Sequence, residues 1–210
     1  MILDLHIHSK HSTDSPIEVA TILKLAKKKG LQGVAITDHN TIGGGIEALR
    51  INRDPGFATI VGCEIETTDK VDILGLFLTE EIQSREGNEV LEEIKEQDGV
   101  AVWAHPYRGG KNLLPSPLIR RMDVIEGFNA KTLESQNMLA RALAERFRKP
   151  VIGVSDAHAA AEIGNAAAMI DCSSPDEIKE ALLKGQTHIL GFKLSNAQLY
   201  DLQFPAKQPA

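Results

Sequence analysis

The sequence predicts an α/β fold in which strands and helices alternate around one core. Short runs of β-branched and aliphatic residues alternate with longer segments of helical periodicity, a pattern typical of βα units and a parallel sheet. A length of 210 residues allows one substantial core. Several apolar runs end in His, Asp or Glu, which favours a closed barrel over an open doubly wound sheet, because barrels gather their chemistry at the carboxyl ends of many strands.

The predicted elements follow one another along the chain without repeats or linkers. Strands are predicted at 2–8, 33–37, 58–64, 71–78, 100–104, 124–128, 151–155, 166–170 and 189–192. Helices are predicted at 16–29, 45–52, 88–97, 133–148 and from near Pro175. Pro16 and Gly30 are typical of the two ends of the first helix. We expect a crossover after each strand, and a flexible turn at Gly43, Gly44 and Gly45 before the second helix.

Composition excludes several classes of protein. A formal charge of −6 argues against a large basic surface that grips nucleic acid. The two cysteines, Cys63 and Cys172, are too few for a disulfide framework and lack zinc-finger spacing, so we expect a reducing cytoplasm. The apolar start is interrupted by Asp4 and histidines, unlike a signal peptide, and no apolar run approaches the length of a membrane span.

Histidines and carboxylates recur where apolar runs end. In the first run, side-chain alternation places Asp4, His6 and His8 on one face of a strand. Taken alone, this run has two equally good explanations: a polar side of the strand that faces solvent, or a pair of metal ligands. The same residue types recur at the ends of four further runs: Asp38-His39, Cys63-Glu64, Ala104-His105 and Asp156-Ala-His158. Histidine and carboxylate without thiolate suit zinc, manganese or iron, and there are more candidates than one ion can use.

These motifs resemble, in order, those of the PHP family, named for polymerase and histidinol phosphatase. The motifs are His6-Ile-His8-Ser, Ser12-Thr-Asp14-Ser, Ile-Thr-Asp38-His39-Asn40, Gly-Cys-Glu64, Ala-His105-Pro106 and Ser-Asp156-Ala-His158. The resemblance runs from Ile2 to about Phe192. It implies a distorted (β/α)7 TIM-like barrel over residues 1–192, followed by a carboxyl-terminal extension at 193–210. It also implies two or three divalent metal ions.

Carried over to this chain, the resemblance implies three groups of metal ligands. The first is His6, His8, Glu64 and Asp156; the second shares Glu64 and adds His105; the third is Asp14, His39 and His158. Members of the family often have a histidine where this chain has Asp72, so we expect Asp72 as a further ligand. Asp38 must point away from His39 if the strand continues, and we interpret it as a supporting or structural residue.

The function implied is hydrolysis of a phosphate ester by a metal-bound hydroxide, without a protein nucleophile. The residues expected to carry catalysis are His6, His8, Glu64, Asp156 and His158. Arg108 and Lys131 are predicted to bind the phosphate, with a solvated surface charge as the alternative for each.

A small phosphorylated metabolite or nucleotide is the favoured substrate. The first alternative is an exonuclease or phosphodiesterase, with nucleic acid entering only as substrate. The second alternative belongs to another class, a non-catalytic, metal-stabilised accessory module. No membrane partner is expected, and metal identity and oligomeric state stay open.

Overall fold

The computed structural model describes residues 1–110 and 116–191. Its nine strands are β1 (Ile2–Ile7), β2 (Gly33–Ile36), β3 (Ala58–Glu66), β4 (Asp72–Leu76), β5 (Val100–Trp103), β6 (Val124–Asn129), β7 (Val151–Val154), β8 (Ala166–Ile170) and β9 (Thr187–Gly191). Its α-helices are α1 (Val19–Lys28), α2 (Gly43–Ile51), α3 (Gly87–Glu96), α4 (Ser116–Arg121), α5 (Glu134–Phe147) and α6 (Ile178–Leu183). The expected extension at 193–210 lies outside the described residues.

All nine described strands belong to one sheet, in the order β7-β6-β5-β4-β3-β2-β1-β8-β9. Two runs of parallel strands, β1 to β3 and β5 to β7, flank the antiparallel strand β4. The expectation of a crossover after every strand is therefore wrong at β3, which turns directly into β4. It is also wrong at β4 and β8, because the next strand along the chain is in each case an antiparallel neighbour. The turn between β3 and β4 is held by hydrogen bonds between Thr67 and Val71 and by a left-handed Lys70.

The sheet curls into a nearly closed barrel, which confirms the predicted fold class. Just beyond the carboxyl end of β7, Ala157 forms a parallel bridge to Ile7 of β1, and its carbonyl accepts a hydrogen bond from the His8 amide. At the other end, β8 and β9 fill the opening: β8 is antiparallel to β1, and the Thr187 hydroxyl of β9 donates to the Val151 carbonyl. The count of nine strands differs from the seven units that the family resemblance implies.

Apolar side chains fill three regions of the fold. Leu3, Leu5, Val102, Val124 and Val154 belong to a cluster of barrel-strand side chains. A second cluster joins α3, α4 and α5 to β3 through β6, and a third joins α1 and α2 to β1 and β2. Helices thus cover the outside of the barrel, and its polar residues are left to gather at one end.

Two local expectations are corrected. The predicted helices did not include α4, whose Leu118 and Ile119 are buried. The glycines at 43–45 form the first turn of α2 rather than a flexible turn, because the helix approaches its neighbours closely. A side chain at Gly44 would lie 2.0 Å from Asp38 Oδ2, and one at Gly45 would lie 2.8 Å from the Val61 backbone.

Among the described helices, none combines the length and the apolar character that crossing a bilayer requires.

Candidate metal centre

Every histidine and carboxylate predicted at a strand end lies at the carboxyl end of the barrel. The described residues include three groups whose ligand atoms lie within 4.8 Å of one another: His6, His8 and Asp156; His6, Glu64 and His105; His8, Asp14, His39 and His158. Two of these residues adopt left-handed backbone conformations, His105 with φ 28° and Asp156 with φ 55°. Such conformations are uncommon for residues other than glycine and often occur at functional sites.

The deep part of the cluster is formed by His6, His8, Glu64 and Asp156. His6 Nε2 lies 3.0 Å from His8 Nε2 and 3.2 Å from Glu64 Oε2. Asp156 Oδ1 lies 3.6 Å from His6 Nε2 and 3.5 Å from His8 Nε2. All four side chains are buried. Two imidazoles and two carboxylates thus converge on one buried point.

The outer part of the cluster is formed by Asp14, His39 and His158. Asp14 Oδ2 lies 3.2 Å from His39 Nε2 and 3.0 Å from His158 Nε2. These side chains are 43%, 35% and 20% exposed, respectively. His39 Nδ1 also lies 3.4 Å from Glu64 Oε2, which joins the outer part to the deep part. The cluster therefore opens to solvent on the side of Asp14.

His105 approaches the cluster from β5. Its Nε2 lies 2.8 Å from Glu64 Oε1, and its Nδ1 lies 3.6 Å from Asp72 Oδ2. Within the described part of the chain, this buried Nδ1 has no hydrogen-bond partner. Asp72 thus lies behind His105, on the opposite side of the ring from Glu64, and its expected role as a ligand stays a prediction.

Hydrogen bonds at Nδ1 orient three of the imidazoles. His6 Nδ1 lies 2.7 Å from Glu126 Oε1, His8 Nδ1 lies 3.1 Å from Ser12 Oγ, and His158 Nδ1 lies 2.9 Å from the Asp156 carbonyl. In His6 and His8, a proton on Nδ1 donated to these oxygens leaves Nε2 with a lone pair toward the cluster, which is the arrangement in which a neutral imidazole binds a cation. His158 differs, because the Lys131 ammonium also lies 3.0 Å from its Nδ1.

The sequence prediction missed Glu126 and Asn129, both buried in β6. Glu126 accepts from the His105 amide through Oε2 at 2.7 Å, as well as contacting His6 through Oε1. The Asn129 amide donates to Glu126 at 2.9 Å and to Asp156 at 3.2 Å. The sequence did hold a signal for Glu126, namely a glutamate within an apolar strand. Carboxylates are almost never buried without partners, so such a residue indicates a buried polar site.

The two predicted phosphate ligands lie beside the cluster and contact its residues. Arg108 Nη2 donates to Asp156 Oδ2 at 2.5 Å and to Asn129 Oδ1 at 2.6 Å. Lys131 Nζ lies 3.0 Å from His158 Nδ1. The two side chains are 24% and 19% exposed, respectively. Both place positive charge at the solvent-facing edge of the cluster, and their role in binding phosphate stays a prediction.

Burial and mutual attraction shift the pKa values of the deep residues. Burial lowers the pKa of His8, but hydrogen bonds to Asp156 and Glu64 outweigh burial and raise it to about 9. Burial raises the pKa of Glu64, but His6 and His105 outweigh it and hold that pKa well below the ordinary value. The same balance, with Arg108 as the largest opposing charge, lowers the pKa of Asp156. The carboxylates are therefore ionised and attract cations strongly.

Asp4 and Asp38 support the strands around the cluster. Asp4 accepts from the backbone amides of Ser155 and Gly164 at 3.0 and 2.9 Å, and burial raises its pKa to about 6. Asp38 accepts from the Ser9 amide at 2.6 Å and the Ser9 hydroxyl at 2.7 Å. The interpretation of Asp38 as a structural residue fits these contacts.

The chain is similar to known proteins over much of its length. A family model described as PHP-associated matches residues 134–187. The uncharacterized protein MJ1587 of Methanocaldococcus jannaschii is 43% identical over 142 residues, which cover 62% of this chain and 82% of that protein. A phosphoribosyl 1,2-cyclic phosphate 1,2-diphosphodiesterase of Eggerthella lenta is 34% identical over 85 residues, which cover 38% of this chain and 32% of that enzyme.

A solved structure shares the fold. It is a two-domain protein of Bacteroides vulgatus that contains a predicted PHP-like metal-dependent phosphoesterase. The two structures superpose with a TM-score of 0.78 at 19% sequence identity, over 97% of this chain and 69% of the other. At this identity the likeness concerns the fold, and it extends over nearly the whole chain.

Proposed function

Because the chain belongs to the PHP family, we propose that it hydrolyses a phosphate ester with the help of two or three divalent metal ions. The proposed substrate is a small phosphomonoester, such as a phosphorylated metabolite or a nucleotide. The residues proposed to hold the ions are His6, His8, Glu64 and Asp156 in the deep part, His105 beside Glu64, and Asp14, His39 and His158 in the outer part. Manganese, zinc and iron all suit these ligand types.

The single observation that carries the proposal is the 3.0 Å approach of His6 Nε2 to His8 Nε2. With the Nδ1 protons engaged by Glu126 and Ser12, the two Nε2 lone pairs face each other and Glu64 Oε2. The two lone pairs repel unless a positive charge lies between them. In the metal-free protein that charge is the proton that the raised pKa of His8 keeps on its ring, and a divalent cation takes the place of the proton on binding. The ligand types and their convergence therefore fit a divalent cation.

Divalent ions in such a cluster lower the pKa of water to near neutrality and offset the negative charge of phosphate oxygens. The chain's own residues prepare the site for that chemistry. Glu126 and Ser12 fix the imidazole rings, and the buried walls around His6 and Glu64 limit access of bulk water. We propose that Lys131, at the open edge, draws the phosphate toward His158, and that Arg108 holds Asp156 in place while facing the substrate.

A small substrate is favoured by the shape and charge of the chain. The cluster opens to solvent where Asp14 and His39 are partly exposed, so a terminal phosphate reaches it without a long groove. The connection between β4 and α3 spans only residues 77–86, which leaves little room for an inserted subdomain. The net charge of −6 disfavours a long nucleic-acid track.

A phosphodiester substrate is the second candidate. The observation that favours it is the likeness to the Eggerthella lenta enzyme, whose name gives it a cyclic phosphodiester as substrate. An opened cyclic diester leaves a monoester, so one cluster can in principle serve both reactions. The two candidates differ in the substrate that the purified protein turns over fastest.

The test is a hydrolysis assay on manganese-loaded protein. p-Nitrophenyl phosphate, bis(p-nitrophenyl) phosphate, a set of phosphorylated metabolites and nucleotides, and short oligonucleotides are compared as substrates. We expect phosphomonoesters to be hydrolysed fastest. Preference for bis(p-nitrophenyl) phosphate or a cyclic diester would favour the second candidate, and metal binding without any hydrolysis would indicate a non-catalytic module.

Substitutions distinguish hydrolysis at the cluster from contaminating activity. His6→Ala and Asp156→Ala are expected to abolish hydrolysis, because each removes a proposed ligand from the buried part of the site. His188→Ala is the matched control, since His188 of β9 is exposed and pairs with Asp171, just after β8, rather than with the cluster. Equal activity in all three variants would refute the proposed site.

A further inference from the structure

A cavity lined by cationic side chains lies at the end of the barrel opposite the metal centre. It has a volume of about 460 Å³, and Arg120, Arg146, Phe147, Arg148 and Lys149 line it. These five residues are called the basic pocket below. Lys149 lies two residues before β7 and Asp156 two residues after it, so the rise of an extended chain separates them by roughly 20 Å. The basic pocket is therefore distinct from the cluster of proposed metal ligands.

The charge of the basic pocket is not balanced by the protein around it. Four of its five lining residues are cationic, in a chain whose formal charge is −6. Among the described residues, no carboxylate pairs with any of these four cations. The carboxyl end of α5 offers a partial negative charge of only about half a unit. Capping this helix end accounts for part of the positive charge and leaves the rest facing the cavity.

Several contacts hold the cationic groups around the cavity. The guanidinium groups of Arg120 and Arg146 lie 5.8 and 6.0 Å from the centre of the Phe147 ring. Lys149 Nζ donates to the Arg120 carbonyl at 2.9 Å. Arg148, which ends α5, has a left-handed backbone with φ 53°, at a position where helices usually place glycine. An arginine at this position is less favourable for the backbone than glycine, and it adds a cation to the pocket.

We propose that the basic pocket binds an oligophosphate chain, either free or as the phosphate part of a nucleoside di- or triphosphate. Guanidinium groups match phosphate oxygens with paired hydrogen bonds, and the concentrated positive charge suits a ligand with several negative charges. The volume lies within the range of small-ligand sites. Because the Phe147 ring already packs against two guanidinium groups, recognition depends on the phosphates rather than on a stacked base.

The test is isothermal titration of the full-length, metal-loaded protein with tripolyphosphate, adenosine triphosphate, adenosine and a single-stranded oligonucleotide. Tripolyphosphate and adenosine triphosphate are expected to bind with similar affinity, which falls as salt is added, and adenosine is expected not to bind. The variant Arg146→Ser/Arg148→Gly should weaken binding of tripolyphosphate by at least about ten-fold, since each lost charge-assisted hydrogen bond contributes on the order of a factor of ten. Glycine at 148 keeps the left-handed backbone, and Arg146→Ser alone serves if the double variant does not fold.

Lys24→Ser/Lys28→Ser is the matched control, because it removes two exposed charges from α1 and leaves the pocket intact. It should bind tripolyphosphate as the unaltered protein does. All variants keep the metal centre, so hydrolysis of p-nitrophenyl phosphate reports on the proposed function separately from pocket binding. The inference is overturned if tripolyphosphate binding is undetectable at millimolar concentration, or if both double variants bind it equally. It is also overturned if only a single-stranded oligonucleotide binds through these arginines.

Discussion

At the scale of single residues, the supporting contacts behind the imidazoles determine what the cluster can bind. Glu126 contacts the His6 ring at Nδ1 and the His105 backbone amide with its two carboxylate oxygens. It thereby fixes residues from β1 and β5 to the same strand, β6. Partners of this kind set the ring orientation and the basicity of a metal-binding imidazole.

Replacing Glu126 with glutamine should weaken metal binding by about 10- to 100-fold, the usual effect of losing such a partner. A glutamine side chain accepts through one atom only, so its amide group must face either the His6 Nδ1 proton or the His105 amide proton. Titration of the metal-free protein with manganese measures the change. Glu134→Gln on α5 is the control, since Glu134 is partly exposed and pairs with Arg141 rather than with the cluster. Equal affinities in the two variants would contradict this role of Glu126.

Metal binding should depend on pH through His8. The pKa of His8 is raised to about 9, so in the metal-free protein the ring is protonated at neutral pH, and a cation must displace the proton. Affinity is therefore expected to rise between about pH 6.5 and 8.5, with proton release on binding. Titration calorimetry in buffers with different ionisation enthalpies counts the released protons. An affinity that is constant over this range would contradict the prediction.

The same shift affects the stability of the metal-free protein. The pKa of His8 in the folded chain lies above its ordinary value of 6.5, so protonation of His8 stabilises the folded, metal-free protein. This stabilisation is fully present below pH 6.5. It is lost as the pH rises through about 9. The stabilisation gained from added metal should consequently increase over the same interval, and thermal unfolding with and without manganese measures both effects.

At the scale of elements, irregularities in the strands lie beside the chemistry. The register of β1 against β2 shifts between Asp4 and Ile7, and that of β6 against β7 shifts between Glu126 and Phe128. These two irregular segments carry His6 and Glu126, which contact each other. Bulges near active sites change the direction of side chains. Sequence alternation alone predicted the face of His6 and could not predict this contact, because bulges break the period of two.

The close packing of α2 against the loop after β1 also supports the site. Gly44 leaves room for Asp38, whose carboxylate holds the Ser9 amide and hydroxyl. Gly44→Ala should lower the free energy of unfolding by about 1–3 kcal/mol, the usual cost of overpacking. Urea unfolding measures it. Gly56→Ala is the control, because a side chain there would meet only Asp54 Oδ1, at 3.4 Å. Equal stability of the two variants would show that α2 can shift away at little cost.

At the scale of the whole molecule, the barrel brings together residues from distant parts of the chain. The sequence predicted the strands that end in His39, Glu64 and Asp156, because polar residues at the ends of apolar runs are a local signal. It did not predict the β3–β4 hairpin, since a hairpin turn and a loop into a crossover look alike between two short apolar runs. The choice of which strands pair, and the closure of the barrel, depend on long-range contacts that no local sequence pattern encodes.

Because the cluster joins β1, β2, β3, β5 and β7, a bound cation should stabilise the entire barrel. When the concentration of free metal is 100 times the dissociation constant, binding at one site adds about 2.7 kcal/mol to the free energy of unfolding. Thermal unfolding is therefore expected at higher temperature with manganese than with a chelator. The increase should be smaller in His6→Ala. An equal increase in that variant would place the stabilising ion elsewhere.

A crystal structure of the manganese-loaded protein, with anomalous scattering recorded at the manganese edge, tests the central claim most directly. We expect two or three anomalous peaks among His6, His8, Glu64, His105 and Asp156 and toward Asp14, His39 and His158, with neighbouring ions about 3.5–4 Å apart. Peaks only at other places, or none among these side chains at saturating manganese, would contradict the account.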